Sequence, residues 1–369
     1  MSVTELRVSN YRSIQEMTLP LKRANIITGA NGCGKSNLYQ SMALLRAAAT
    51  GNLAKTLVAE GGMPSVLWAG DRHEGVIRIH LGITVDEFQY DVELGLPYNP
   101  MSMFALDPHV KKETVTVIEK GKPVVVLDRG NSACTMRNAD GNKETYRLTL
   151  HHEESALAQI SDPKHFPIID DLRKRIGNWR FYHGFRTDPD SPLRKAQIGV
   201  RTFIMAPDGR DLAAALQTIV ENGNDLALRD TIADAFPGCQ LLIDRSPAGF
   251  EISLQVPGMN RPLTAQELSD GQLRYLCLAA ALLSPSPAPL IALNEPETSL
   301  HQDLLAPLAR LCADASSRSQ LWLTTHSPKL ANELADQISV VPIALEKVDG
   351  RTVRAGRDRR VFYSAGENS

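Results

Sequence analysis

The chain has 369 residues, 43% of them apolar and 22% charged, with a formal net charge of −2. That is chain enough for two average domains or one elaborated domain with a sizeable core. The near balance of charge excludes a bulk field drawing the protein to nucleic acid or anionic membrane, so any such contact needs a local patch. No window approaches eighteen uninterrupted apolar residues, and the N-terminal MSVTELRVSN has no basic segment leading into an apolar run. Neither a membrane span nor a signal peptide is therefore expected. Five widely spaced cysteines without a C-x-x-C pair fit a reducing, cytoplasmic setting rather than a zinc site or disulfide framework.

In chain order, TELRVSN, IQEMTLPL and ANIIT read as short strands, followed by the glycine-rich GANGCGKSN. The next segment, SNLYQSMALLRAAAT, places Leu38, Met42 and Leu45 at helical spacing, with Gly51 past the end. From about 75 to 150 the texture changes. VIRIHLGITV, FQYDVELGL, ETVTVIEKG, PVVVLD and ETYRLTL read as strands of an antiparallel sheet, separated by turn residues. Residues 151–235 read as mainly helical, with a proline-rich irregular piece from about Asp188 to Asp208.

The last third returns to α/β order. QLLIDRS and GFEISLQV predict a hairpin, LSDGQLRYLCLAAALL a buried helix, and LIALNE a strand. SLHQDLLAPLARLCADA predicts a helix with Leu300, Leu304, Leu308 and Leu311 on one face. The strand QLWLTT, a short helix from about Pro328 and a hairpin around VDGRTV follow. The chemistry-bearing motifs lie towards the two ends of the chain. The expectation is thus a composite domain built from residues 1–50 and 236–369 around a parallel sheet, a β-rich lobe over 51–150, and a mainly helical insertion over 151–235. No heptad pattern is long enough for a coiled coil.

Gly29-Ala30-Asn31-Gly32-Cys33-Gly34-Lys35-Ser36 fits G-x-x-x-x-G-K-[ST] in full. Glycines let backbone N–H groups turn inward around a phosphate, and the helix that begins near Lys35 points its positive end at the anion. Lys35 then reaches the β and γ oxygens, and Ser36 offers a hydroxyl to magnesium. A strand before and an amphipathic helix after supply the context this motif requires, so the sequence predicts Mg-ATP binding. Cys33 within the loop raises redox control, but the plainer reading is a small residue filling a loop position.

Three further elements follow in order: LSDGQ (Leu268 to Gln272), the apolar strand ending in Asn294-Glu295, and TTHSP with His326. Together with NYRSI before the glycine loop, GANGCGKSN, ELSDGQLRYL, LNEPETSLH and TTHS, they make the chain resemble the SMC/RecF/OLD-like ABC-type ATPases, among them the predicted AAA-family ATP-binding proteins. The resemblance is close over 1–50 and 262–330 and loose elsewhere. It implies a P-loop NTPase of α/β class: an ABC-type head with an antiparallel β lobe and a helical insertion, which dimerises head-to-tail around two ATP molecules.

On that resemblance Arg12, Gly29, Asn31, Gly32, Gly34, Lys35, Ser36 and Asn37 bind ATP. Ser269, Asp270, Gly271 and Gln272 complete the site of a second subunit. Glu295 orients or deprotonates the attacking water, and His326 hydrogen-bonds the γ-phosphate. A plainer role for Ser269 is a helix cap, and for Arg12 a solvated surface position.

Asn294 stands where an aspartate is usual. It keeps an acceptor oxygen for a metal-bound water and loses the charge. Slow but real hydrolysis is the expectation, and the alternative is a nucleotide-gated clamp that regulates an effector such as a nuclease. The resemblance implies DNA transactions, repair or antiphage defence, as the coupled process. Two patches could touch DNA: Arg173-Lys174-Arg175 with Trp179, Arg180, Phe181 and Tyr182, and the basic KVDGRTVRAGRDRRVF. Their plainer readings are an amphipathic helix followed by core aromatics, and a solvated hairpin and tail. His151-His152-Glu153-Glu154 reads as a polar loop, because adjacent residues do not face one site in a helix or strand.

Overall fold

The computed structural model describes residues 2–70, 77–98, 101–130, 133–146 and 149–356. The basic tail expected beyond Gly356 lies outside these residues. The chain forms two compact units, one of residues 1–22, 29–179 and 343–369, the other of residues 23–28 and 180–342.

The first unit is built on an eight-stranded sheet. Its strand order is Ile14–Pro20, Val3–Tyr11, Ile79–Val85, Phe88–Gly95, His109–Glu119, Lys122–Arg129, Cys134–Arg137 and Lys143–Thr145, antiparallel throughout. Phe88, Tyr90, Val92 and Leu94 are buried while the residues between them are half-exposed, the period-2 pattern of a sheet with one covered face. The β-rich segment was expected to stand apart as a lobe over 51–150. Instead, Ile79–Val85 hydrogen-bonds directly to Val3–Tyr11, so the sheet is continuous with the N-terminal hairpin. Helix Lys35–Thr50 buries Leu38, Met42 and Leu45 as their spacing predicts, and helix Pro167–Gly177 lies in the same unit. The helical insertion expected over 151–235 is thus divided between the units after Trp179.

The second unit holds four parallel strands in the order Arg180–Tyr182, Leu290–Asn294, Gln320–Thr324 and Ala24–Gly29, the last residue of which opens the glycine loop. Every residue of Leu290–Asn294 and Gln320–Thr324 is buried, which is why these strands read as unbroken apolar runs rather than alternating ones. Trp322, Leu293 and Leu323 are fully inaccessible, each burial contributing roughly 1.5–3 kcal/mol. Helices Leu212–Asn222, Asp225–Ala235, Asp270–Leu282, Leu305–Arg318 and Pro328–Ile338 belong to this unit and supply most of its core. Gln240–Ser246 and Gly249–Gln255 form the expected hairpin.

One helix begins later than its sequence suggests. Ser299 has a left-handed backbone with φ 64°, so the chain turns there. A short 3-10 turn, Gln302–Leu304, capped by His301, then precedes the helix Leu305–Arg318. Leu304, Leu308 and Leu311 are buried as expected, and Leu300 packs against the same core. No helix among the described residues is long and apolar enough to cross a membrane.

In the first unit, Glu113 is completely buried. Its carboxylate accepts hydrogen bonds from Tyr90 (3.0 Å), Ser155 (2.5 Å), Arg129 (3.5 Å) and the backbone N–H groups of Ala156 (2.7 Å) and Leu157 (3.2 Å). Removing one member strands the others without water. Glu113→Ala should therefore lower unfolding stability by about 3–5 kcal/mol, and Tyr90→Phe by about 1 kcal/mol, read from denaturant midpoints at constant slope.

Candidate functional site

The glycine loop lies in the first unit and is shaped by contacts that exclude side chains. Gly29 has φ 148° and Gly34 φ 106°. A Cβ at Gly29 would sit 2.5 Å from the Leu345 carbonyl and 2.6 Å from Cys33 Sγ; one at Gly34 would sit 2.0 Å from Thr352 Oγ1. Both positions need glycine on conformation and space alike. Helix Lys35–Thr50 has no side-chain cap at Gly34, which leaves first-turn N–H groups for an anion.

Lys35 is buried, and its ammonium donates to the carbonyls of Gly29 (2.8 Å) and Ala30 (3.2 Å). Asn31, Gly32 and Ser36 are exposed at the loop surface. Cys33 is buried, so it fills the loop rather than offering a reactive thiol. The loop is held by a one-way hydrogen-bond chain. Asn37 Nδ2 donates to Ser13 Oγ (2.7 Å), the Ser13 and Thr352 hydroxyls are 2.7 Å apart, and Thr352 Oγ1 donates to the Cys33 carbonyl (2.8 Å). Asn37, expected to bind ATP directly, here anchors the loop. Arg12 was expected near the phosphates, but its guanidinium pairs with Glu60 at 2.9 Å, a carboxylate that also accepts from Tyr11 at 2.5 Å.

The other residues lie in the second unit, at the carboxyl edge of the parallel sheet. Thr324 is in register with both Asn294 and Ile27, and Thr325 N–H donates to the Ile27 carbonyl at 3.0 Å. The three chains thus leave the sheet at one level, the edge at which open α/β sheets bind ligands. Asn294 is buried and its amide is fully engaged. Oδ1 accepts from Thr324 Oγ1 at 2.7 Å, and Nδ2 faces His183 Nδ1 at 3.0 Å.

Glu295, the next residue, has a left-handed backbone with φ 47°, a conformation that costs about 1–3 kcal/mol outside glycine. It is held there from both sides. Its N–H donates to the Thr324 carbonyl at 2.9 Å, and buried Arg274 donates to the carbonyls of Glu295 (3.2 Å) and Pro296 (3.4 Å). Glu297 is buried and accepts at Oε1 from Thr325 Oγ1 (2.5 Å), His326 N–H (2.9 Å) and Ser327 N–H (3.3 Å). His326 Nδ1 lies 3.3 Å from Glu297 and 3.9 Å from Glu295. The Glu295 carboxylate is left about a third exposed (32%) beside the imidazole, an arrangement able to orient a water and accept its proton.

The signature also lies in the second unit. Ser269 caps helix Asp270–Leu282 through a full capping box, accepting from Gln272 N–H while Gln272 Oε1 accepts from Ser269 N–H. Asp270 pairs with Arg194 at 2.7 Å. A Cβ at Gly271 would lie 2.8 Å from the Ser299 carbonyl, which ties this helix to the loop after Glu295. Ser269, Asp270, Gly271 and Gln272 line an open pocket of about 620 Å³ with Ser299 and His301.

The first basic–aromatic patch is not a nucleic-acid platform. Trp179, Phe181 and Tyr182 are buried; Arg173 and Lys174 pair with Asp170, and Arg175 with Asp86, Glu87 and Asp171. What sequence reasoning missed are the supporting residues Thr352, His183 and Arg274. The only signal for His183 was its place after the aromatic strand, whose pairing of Tyr182 with Leu293 sets His183 beside Asn294.

These two groups of residues, on this sheet, define a P-loop NTPase with an ABC-type, SMC-like ATPase head. The sequence profile of the family described as "AAA domain, putative AbiEii toxin, Type IV TA system" matches residues 24–332, and the chain belongs to that family of ATPases. Among solved structures, the chain is similar to an Smc head bound to the C-winged helix domain of ScpA (16% identity, 96% of this chain and 98% of that one, TM-score 0.55). It is also similar to an Smc head domain with an extended coiled coil bound to the C-terminal domain of ScpA derived from Pyrococcus furiosus (13% identity, 98% of both chains, TM-score 0.50). Comparison with curated proteins gives no match.

The loop anchor yields a direct expectation. Thr352→Val removes the donor to Cys33 and the hydroxyl facing Ser13, and should weaken binding of a fluorescent ATP analogue roughly tenfold, about 1.4 kcal/mol. Gly34→Ala, which drives a methyl into Thr352, should abolish binding in the same titration.

Proposed function

We propose that this ATPase binds Mg-ATP, closes head-to-tail with a second copy around two nucleotides, and couples slow hydrolysis to DNA transactions of a repair or defence kind. The observation that carries the reading is the carboxyl edge of the parallel sheet. There Thr28 leads into the glycine loop while Glu295 and His326 sit on the neighbouring strand ends.

In this reading Lys35 exchanges the Gly29 and Ala30 carbonyls for phosphate oxygens, and the uncapped first turn of its helix takes the same anion. Gly29, Asn31, Gly32, Gly34 and Asn37 shape the cradle, and Arg12 would have to leave Glu60 to join it. Glu295 accepts the proton of the attacking water, and His326, oriented by Glu297, donates to the γ-phosphate. Ser269, Asp270, Gly271 and Gln272 would complete the partner copy's site, where their open pocket leaves them accessible.

The oxygen donors present fit magnesium, a hard cation. The exposed Ser36 hydroxyl would hold it directly and Asn294 through water, and the ion supplies positive charge opposite the phosphates. A separate effector is the second partner we propose. The solved Smc heads are bound to domains of ScpA, and the family description names a toxin of a type IV system, which accords with defence. We place this activity in the cytoplasm.

The full engagement of the Asn294 amide favours a second reading, a nucleotide-gated clamp with little turnover that regulates an effector such as a nuclease. An amide committed to Thr324 and His183 brings no negative charge to the metal's water shell. Steady-state phosphate release tests both. Wild type should turn over slowly and Glu295→Gln should lose about a hundredfold or more; ATP binding without turnover in either protein would leave the clamp. Asn294→Asp retains the acceptor for Thr324 but cannot donate to His183, and should raise the magnesium-dependent rate if the natural residue throttles the site. Rates measured with and without DNA then separate a DNA-coupled ATPase, which accelerates, from a clamp, which does not.

A further inference from the structure

In the sheet of the first unit, far along the chain from the glycine loop, two basic side chains are buried without hydrogen-bond partners. Lys111 is 4% exposed and His109 is 9% exposed, and neither Lys111 Nζ nor His109 Nε2 meets a partner. An unpaired buried ammonium is costly, and native structures retain one where something else satisfies it.

The local backbone is shaped around this pair. Glu93 is in register with Lys112 and Leu94 with Val110, so Lys111 is the extra residue of a β-bulge, the device by which a sheet re-aims one side chain. Gly95 makes room for it. A Cβ there would lie 3.1 Å from Lys111 Cε and 3.7 Å from Arg78 Cγ. The ammonium rests 3.5 Å from the centroid of the Tyr98 ring, and His109 meets that ring edge-on at 5.6 Å while its other neighbour, His152, lies at 4.3 Å. Tyr98 itself is 61% exposed, a cover with little holding it. Burial and the nearby Lys111 push the His109 imidazole down to about 4.

Carboxylates of the neighbourhood are engaged elsewhere. Glu93 pairs with Arg78 at 3.1 Å, Glu113 with its five donors, and Glu153 lies 3.8 Å from His151. Arg129 is spent on Glu113 and on the carbonyls of His151 and Glu154. The missing partner is therefore an anion from outside.

We propose that Lys111 and His109, under the Tyr98 ring, form a binding site for a small oxyanion, the phosphate or carboxylate group of a ligand distinct from the nucleotide of the glycine loop. The anion takes two donors, Lys111 Nζ and the N–H of a His109 tautomer protonated at Nε2, as Tyr98 swings outward.

The test uses the full chain with Lys35→Ala, so that phosphate cannot act through the glycine loop. Inorganic phosphate replacing chloride at constant ionic strength should raise the unfolding midpoint saturably by about 2–4 °C, and Lys111→Met in the same background should lose that rise. Acetate in place of phosphate distinguishes the sources: a rise with acetate alone assigns the site to carboxylates, one with phosphate alone to phosphoryl groups. No saturable rise with either anion, or an equal rise in Lys111→Met, overturns the proposal. Should Lys111→Met not fold, the His109 and His152 ring resonances give the answer. Selective shifts on adding phosphate or acetate support the site, and unmoved resonances overturn it.

Discussion

Parallel registration of three short strands governs the chemistry of this chain. Ala24–Gly29, Leu290–Asn294 and Gln320–Thr324 are matched so that Ile27, Asn294 and Thr324 stand at one level. Buried apolar side chains fix that level, since slipping a strand by one residue would invert which side chains face each covered surface. Everything that follows a strand end inherits its position from this registration: the glycine loop after Thr28, Glu295 after Asn294, and His326 after Thr325.

Asn294 shows how a side chain can be selected by its neighbours as much as by the reaction. An aspartate there would accept from Thr324 as well as the amide does, but it offers no proton to His183 Nδ1. The amide satisfies both neighbours of a position that is 7% exposed. The exchange of Asp for Asn is therefore a coherent local solution, in which loss of charge at the metal's water shell is matched by a hydrogen bond to the next strand.

Much of this was legible in the sequence, for identifiable reasons. The glycine loop and the strands Leu290–Asn294 and Gln320–Thr324 announce themselves because each rests on contiguous residues, and local chemistry fixes their conformation. The capping box at Ser269 and Gln272 is equally local, and its cap reading is what the structure shows. Illegible were the contacts that tie remote segments together. Thr352 reaches Cys33 across 319 positions, and nothing in the spacing of VDGRTV marks it. The ion pair of Arg12 with Glu60 and the continuation of the N-terminal hairpin into the strands beyond residue 79 are likewise tertiary, and no periodicity reports which strand becomes whose neighbour.

The cost of holding the candidate site is concentrated in a few residues after Asn294. Glu295 and Ser299 both have left-handed backbones. Glu297 keeps Oε2 buried without a partner, and Arg274 is buried with only carbonyl oxygens as its hydrogen-bond acceptors. An unsatisfied buried acceptor costs about 1–3 kcal/mol, and each left-handed non-glycine residue a similar amount. Local rules would be met at lower cost by a glycine at 295 and an apolar residue at 297. Glycine at 295 would remove the half-exposed carboxylate, and an apolar residue at 297 would release the His326 backbone and ring. Arg274 and Thr324 over-determine the turn, so the strain is tolerated where it aims side chains. Violations of local preference that cluster beside an exposed carboxylate and imidazole, and are held by dedicated neighbours, mark the segment as built for chemistry rather than for stability.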